Sequence, residues 1–438
     1  MAREMKNSGI AWIGLIPVSW KTIQIRSIFD ENTRRNLFLT RKNSLKFTYG
    51  AIVRKKDFDT EDDYVLRTIK NYTMVSSGDI VINGLNLNFD FVTQRVGLVK
   101  EEGLITSSYM IIRPRKNYIS EYYATYLLKT YDSFKAFHNM GDGVRKILNF
   151  SELKKEYIIL PPLSSQNNIV NFLNLKCSEL DSLVADITKE IELLKEYRKS
   201  VIYEAVTKGL DPNVEMKDSG IEWIGKIPHN WDVLPLKNLF VFGKGLSITK
   251  ANLEYEGYPV ISYGQIHAKY NTGVCIDNRL FRYVNFSYLK TDSASLVNPN
   301  SFIFADTSED AEGCGNCVYN NTESNFFAGY HTIILTPKSN KNCKYLAYLF
   351  QTDVWRNQMR NRIVEVKLFT VSQKLLKLTS VILPSECEQS QIVEYLDKKC
   401  SIIDSLISDK QQQIDKLTEY KKSLIYEYVT GKKEVPAV

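Results

Sequence analysis

The sequence predicts an α+β protein in which two globular domains of mixed α/β content are separated by two long antiparallel coiled-coil helices, related by an internal pseudo-twofold repeat. Three observations predict it. Residues 7–29 and 218–240 share a tryptophan-rich motif, identical at ten of 23 positions, among them Trp12/Trp223, Pro17/Pro228 and Trp20/Trp231. Residues 160–207 align without a gap on 383–430, with 24 identities in 48 positions, which marks a duplication. Both copies of that segment place apolar residues at heptad spacing.

Composition narrows the class before any element is placed. The 438 residues are 44% hydrophobic and 24% charged, which excludes a disordered, collagenous or disulfide-scaffold chain. The opening MAREMKNSG lacks the apolar core of a signal peptide. Apolar runs such as Tyr157–Leu163 are too short to span a bilayer. Seven scattered cysteines fit a reducing compartment. The expectation is a cytoplasmic protein without membrane association.

The first domain is placed at 1–160, with the tryptophan motif at its start, and the second at 211–382. Short β-rich runs (Asp79–Asn83, Thr106–Arg113, Ser301–Ala305, Thr332–Thr336) alternate with Gly, Asn and Asp turns, and helical patches follow at 121–138 and 343–358. The two regions are diverged copies. Phe47–Ile52 matches Ile261–Ile266 at an offset of 214, and Tyr109–Pro114 matches Thr332–Pro337 at 223. The growing offset inserts a net nine residues and makes 267–330 the most remodelled stretch of the second copy.

The net charge of +7 is not evenly spread. Residues 24–150 hold 20 basic and 14 acidic side chains, and residues 235–373 hold 14 and 11. The excess therefore falls on the two variable regions, where an anionic partner would bind. Their loops combine cations with amides and aromatics. In the first they are Arg34, Arg35, Arg41, Lys42, Tyr49, Asn83, Asn86, Asn88, Gln94, Arg95, Arg145 and Lys146. In the second they are Lys244, Tyr263, Gln265, His267, Lys269, Tyr270, Asn316, Asn320, Asn321, Arg360 and Arg362. Arginine and lysine meet phosphates or guanine edges, and asparagine and glutamine pair with adenine, so these are candidate DNA contacts. Any one of them taken alone is more often a solvated loop residue.

The conserved helices are placed at 161–210 and 383–438. Leu173, Leu180, Ile187, Leu194 and Val201 recur every seven residues in the first, with Arg198 interrupting the companion row. Leu396, Ile403, Leu417 and Leu424 do so in the second, with Lys410 as the exception. Pro161-Pro162 and Pro384 precede the helices and Gly209 and Gly431 end them. About 40 residues at ~1.5 Å rise make a rod of roughly 60 Å. Only ten residues join the first helix to the second tryptophan motif, so the second helix is expected to run back toward the first domain and end against the N-terminal motif. Polar residues on the outward faces are also repeated. Gln166/Gln389, Asp181/Asp404, Asp186/Asp409 and Glu196/Glu419 are identical pairs, and two copies of one surface suit two copies of one partner.

Signals for catalysis are missing. There is no phosphate-binding G-x-x-x-x-G-K-S/T loop, Gly141-Asp-Gly143 and Gly243-Lys-Gly245 lack the remaining glycines of a dinucleotide fingerprint, and Leu160-Pro-Pro-Leu163 is not an amino-methyltransferase tetrapeptide. Cys314-Gly-Asn-Cys317 is the one metal-like spacing, but zinc needs four ligands. No catalytic residue, metal or cofactor is assigned to this chain.

Three repeated stretches carry a family likeness: Asn/Asp-Ser-Gly-Ile-x-Trp-Ile-Gly-x-Ile-Pro-x-x-Trp, the Leu-Pro-x-x-x-x-Gln-x-x-Ile-Val ahead of each helix, and Tyr-Arg/Lys-Lys-Ser-Val/Leu-Ile-Tyr-Glu-x-Val-Thr at each helix end. Together they resemble specificity subunits of type I restriction–modification systems, over nearly the whole chain. One departure is Ser385-Glu386-Cys387-Glu388, where the first copy has Pro162-Leu163-Ser164-Ser165. The resemblance implies two target-recognition domains on conserved helices, double-stranded DNA as ligand, two docked methyltransferase subunits, and restriction subunits that join them. S-adenosylmethionine, ATP and Mg²⁺ would belong to those partners. Two other readings remain to be separated from it: a coiled-coil scaffold without DNA specificity, and an enzyme acting alone.

Overall fold

The computed structural model describes residues 3–56, 62–140, 146–339, 343–363 and 368–436. Two compact units divide it: Met1–Thr188 with Gln412–Val438, and Lys189–Gln411.

In the first unit the tryptophan motif folds as a hairpin, Met5–Asn7 against Leu15–Pro17. Its apolar residues Ile13 and Ile16 are buried, as is Trp20 just beyond it. Strand Lys21–Gln24 then pairs antiparallel with Tyr157–Leu160, tying the start of the variable region to its end. Between them lies an antiparallel sheet in the order Phe29–Glu31, Met110–Pro114, Ile80–Ile82, Val96–Leu98. Its Ile and Val side chains are buried on both faces, each contributing about 1.5–3 kcal/mol to the fold. Helix Glu121–Ser133 packs near strand Val96–Leu98, and its Tyr123 hydroxyl donates to Val429 O at 2.9 Å. The strand expected at 106–113 begins only at Met110, as Met110–Pro114, because Thr106–Tyr109 form a turn that separates it from the preceding strand Gly103–Ile105.

The second unit repeats this frame. Met216–Asp218 pairs with Lys226–Pro228, and Asp232–Pro235 with Ser380–Leu383. The sheet order is Phe240–Lys244, Thr332–Pro337, Phe302–Ala305, Cys317–Tyr319. Tyr345 donates to Val206 O at 2.9 Å. A further sheet, Arg282–Val284, Tyr258–Ile261, Phe326–Ala328, Leu296–Val297, has no four-stranded counterpart among the described residues of the first unit. It accounts for the remodelling expected around 267–330. The helical patch at 343–358 is two helices, Lys344–Phe350 and Asp353–Arg360, because Thr352 stops one and caps the other by accepting from Trp355 N.

The long helices are Leu163–Lys208 and Glu386–Val429. Gly209 and Gly431 follow them with φ of +77° and +73°, the left-handed ending that glycine makes easy. A Cβ on Gly431 would lie 2.6 Å from Pro17, so glycine is needed there for space as well. Within the first unit Leu173 and Leu180 share a core with Leu424, Tyr428 and Val429, and Asp181 meets Lys421 at 2.6 Å. Within the second, Val201 and Val206 share a core with Ile392 and Leu396. There the two heptad exceptions find carboxylates: Arg198 meets Asp404 at 2.9 Å, and Lys410 meets Glu190. In the first unit Phe172 packs near Tyr428 and Asp181 meets Lys421, and in the second Glu190 meets Lys410 and Arg198 meets Asp404, so the partners recede along one helix as they advance along the other. The end of the second helix reaches the N-terminal motif, as expected: Tyr426 donates to Trp12 O at 3.3 Å, and Lys432 to Ile13 O at 2.6 Å.

Candidate nucleic-acid interface

In the first unit three segments carry the predicted polar residues: the loop 32–44, the hairpin of Leu45–Thr48 with Ala51–Arg54, and the loop 83–95. Arg34, Arg35 and Lys42 are exposed. Tyr49 stands at the hairpin tip with φ +46° and 85% exposure. Gly50 beside it leaves room for Gln94, whose Cγ would sit 2.5 Å from an added Cβ. The hairpin tip and the loop 83–95 are thereby held together.

That loop is rigid for a reason the sequence concealed. Arg95 is 1% exposed, and its guanidinium donates to Asn83 O (3.0 Å), Leu85 O (2.7 Å) and Asp90 O (2.7 Å). Arg95 N donates to Asp132 Oδ2 at 2.6 Å, and Gln94 donates to the same carboxylate. Burial raises the pKa of Asp132, and those hydrogen bonds oppose the rise. Asp90 accepts from Thr93 and Val92, which holds its pKa down to about 2. The expectation of Arg95 as a DNA contact is corrected: a buried guanidinium held by the carbonyls of Asn83, Leu85, Asn86 and Asp90 positions the loop. Gln94 and Arg41 are likewise engaged, Arg41 with Val75 O and Glu102. What the loop presents outward is Asn86 and the apolar Phe89, Phe91 and Val92, the last 92% exposed. Asn83 and Asn88 are half-buried, Lys146 is exposed, and Arg145 lies outside the described residues.

The second unit sorts its candidates similarly. Asn320 is fully buried, donating to Val297 O and Ser324 O, so this expected contact is also corrected to an internal brace. Arg356, not predicted as functional, is the counterpart of Arg95 in role. It donates to Phe350 O (2.8 Å), Gln351 Oε1 (3.0 Å) and Asn316 Oδ1 (2.7 Å), and burial lowers its pKa. Asn316 lies 3.1 Å from His267 Nδ1, and His267 Nε2 lies 2.8 Å from Thr307 O. Both imidazole nitrogens are therefore occupied. Gln265 accepts from Ser262 N, Asn321 from Ile276 N, and Tyr270 donates to Arg279 O. Arg360 is tied to Asp353 at 2.7 Å, and exposed Arg362 reaches Leu378 O. Lys244 and Lys269 are exposed.

On the helices, Gln166 is a correction. It was expected outward but is fully buried, accepting from Ser120 N and donating to Tyr118 O and Pro161 O. Gln389 makes the matching bond to Pro384 O, so this repeated glutamine fastens a helix start. Asp181 and Asp404 are exposed but bridged to the facing helix, and Glu196 and Glu419 each pair with a lysine three residues on. Asp186 and Asp409 are exposed. The identical pairs Leu183/Leu406 and Tyr197/Tyr420 are exposed too; sequence reasoning passed over them, although identity off the heptad core was the available signal.

Among the described residues no group of three or more His, Cys, Asp or Glu is placed to hold a metal. Cys314 and Cys317 are buried, and burial pushes the Cys317 thiol up to about 12. No described helix is long and apolar enough to cross a membrane.

Comparison with known proteins gives this geometry a family. The family model for the type I restriction modification DNA specificity domain matches residues 17–193 and again 228–416. The chain is 25% identical over 442 residues to the putative type I restriction enzyme MjaX specificity subunit of Methanocaldococcus jannaschii, covering 96% of this chain and 95% of that one. To the MjaVIII specificity subunit of the same organism it is 22% identical over 380 residues, covering 82% of each. A chain solved in work on complex assembly and conformational transition of the type I R-M system superposes with a TM-score of 0.71 at 13% identity, over 95% of this chain and 99% of that one, which shows the shared fold. With the specificity domain matched twice, on the two units that repeat one frame, this chain belongs to the type I restriction–modification DNA specificity family.

Proposed function

We propose that this chain reads an asymmetric bipartite DNA sequence, one half-site by each of two target-recognition domains at 1–160 and 211–382. The observation that carries the reading is one frame used twice with different loops. Tyr123 closes on Val429 as Tyr345 closes on Val206, and Asp181–Lys421 corresponds to Asp404–Arg198 at the repeat spacing. Those matched bonds support a pseudo-twofold relation and an antiparallel coiled coil of the helices at 161–210 and 383–438. In this reading the helices set the gap between half-sites, since contact spacing on B-DNA is geometric.

Exposed Arg34, Lys42, Tyr49, Asn86 and Lys146 in one domain, and Lys244 and Lys269 in the other, supply phosphate and base contacts. Two methyltransferase subunits dock on the repeated helix faces around Asp186, Glu196, Asp409 and Glu419, and restriction subunits join that assembly in the cytoplasm. S-adenosylmethionine, ATP and Mg²⁺ are theirs. The chain selects the base, and the partner extrudes and methylates it.

Mapping methylated adenines across a genome that expresses the assembled complex tests this. The expected product is one bipartite motif with a constant gap. Removing one heptad from both helices shortens the rod by about 10 Å, so the gap contracts by roughly three base pairs while both half-sites persist. An altered half-site opposes the reading. Equal affinity for all duplexes in a competition assay favours a scaffold without DNA specificity.

A further inference from the structure

The turn that leads into the central strand of each sheet occupies matched positions and carries different chemistry. Thr106-Ser107-Ser108 precede the strand in the first unit, and Gly329-Tyr330-His331 in the second. His331 is exposed and holds φ +57°, a region that a residue with a side chain seldom adopts. Such backbone persists only where the surroundings impose it, and here they do. Asp306 N donates to His331 O at 3.1 Å, and Thr332 Oγ1 donates to Gly329 O at 2.6 Å. A Cβ on Gly329 would lie 2.0 Å from Ser262 Oγ, so the turn sits hard against its neighbour.

The imidazole is oriented as well. His331 Nδ1 lies 3.1 Å from Asp306 Oδ1, and the same oxygen accepts from Thr307 Oγ1 at 2.8 Å. A carboxylate accepts, so Nδ1 carries the proton and donates. Nε2 has no partner among the described residues. The ring stands edge-to-face with Tyr263, centroids 5.4 Å apart. Lys244, on the adjacent strand, pairs with Ile333 two residues away. His267, the other histidine in this cluster, has both nitrogens engaged internally.

We infer that His331, oriented by Asp306 and flanked by Tyr263, is a specificity-determining residue whose Nε2 hydrogen-bonds a base edge of the half-site read by the second unit. The inference rests on the DNA-reading function proposed above. A base edge is favoured over a phosphate because a strained backbone and a carboxylate fix the imidazole in one direction. Phosphate contacts need charge more than direction, and flexible lysines such as Lys244 provide it. Asp306 is then a positioning residue.

The test uses the full chain assembled with its methyltransferase subunits, comparing wild type, His331→Gly and Asp306→Asn. Glycine accepts φ +57° without strain, so the first variant deletes the imidazole and keeps the turn. Modified sites are mapped on a random duplex library, and binding is measured across salt concentrations. The expected result is a loss of about tenfold or more in discrimination at one position of one half-site, with the other half-site unchanged. Asp306→Asn should relax the same position by less. An unchanged motif overturns the assignment. A uniform weakening across all sequences with a shallower salt dependence also overturns it, because that marks a phosphate contact. If the wild-type complex shows no sequence preference at all, the DNA-reading function fails before His331 is in question.

Discussion

Thr48-Tyr49-Gly50 in the first unit and Ser262-Tyr263-Gly264 in the second descend from one stretch of sequence, yet they fold differently. The first is the tip of a hairpin, with Tyr49 and Gly50 both at positive φ. The second opens the short helix Tyr263–Ile266, where Gly264 needs no special conformation and has open space around it. A few residues away the two units agree to single hydrogen bonds, in the tryptophan hairpin, the central sheet and the tyrosine that closes on a helix end. The frame tolerates little because each piece is buried against several others. Each unit also holds one buried guanidinium against backbone carbonyls, Arg95 on the loop 83–95 and Arg356 on Phe350 O and Glu312 O.

The largest effect should come from removing that guanidinium. Arg95→Met removes a buried guanidinium from four part-buried carbonyls and should destabilise the first unit by about 2–4 kcal/mol, with Arg356→Met acting likewise on the second. Hydrogen exchange resolved by segment checks this; protection lost equally in both units by either variant would break the comparison. Next, Gly50→Ala should cost about 2 kcal/mol, from positive φ and the crowded Gln94, whereas Gly264→Ala should change stability by under about 0.5 kcal/mol. Equal costs would mean that the two tripeptides fold alike.

A third difference is reciprocal. Trp231 Nε1 donates to Glu388 at 3.0 Å, while Trp20 Nε1 has no partner among the described residues, and the sequence repeat aligns Ser165 with Glu388. Glu388→Ser should cost about 1–2 kcal/mol, and Ser165→Glu should raise the melting temperature. Loss of stability from Ser165→Glu would show that the two tryptophan sites are not interchangeable. Tyr123→Phe and Tyr345→Phe should each cost about 1 kcal/mol and match one another in urea titrations. The smallest effect is chemical. Cys275 and Cys387 should react promptly with a thiol reagent at neutral pH, and Cys317 and Cys343, with pKa near 12, only on unfolding.

The frame was legible because its signals are apolar and periodic. The heptads, the flanking prolines and glycines, and the alternating strands all report burial directly, and they led to both long helices and to the central sheet. Interface residues were legible only as types. Arg95, Asn320 and Gln166 look in sequence like Arg34, Asn321 and Glu196. Whether a polar side chain faces water or a neighbour's carbonyl depends on residues far along the chain, such as Asp132 for the backbone at Arg95. His331 reads in sequence only as an isolated histidine of the structural or surface kind, because positive φ leaves no mark in the sequence of a non-glycine residue. The second sheet of the second unit was foreseen only as a place where the repeat changes length.

Tyr123 bonded to Val429 has a consequence for how the protein is made. The second unit is continuous in sequence, Lys189–Gln411, and its parts leave the ribosome in one run. The first unit is not: its core includes Leu424, Tyr428 and Val429. Although residues 1–188 are translated before the second unit, they stay without part of their core until Leu424, Tyr428 and Val429 emerge. Of the two units, the one whose residues are made earlier is therefore the one that completes its core later. A nascent chain stalled near Gln411 should present a protease-resistant second unit beside a first unit that is still open to cleavage.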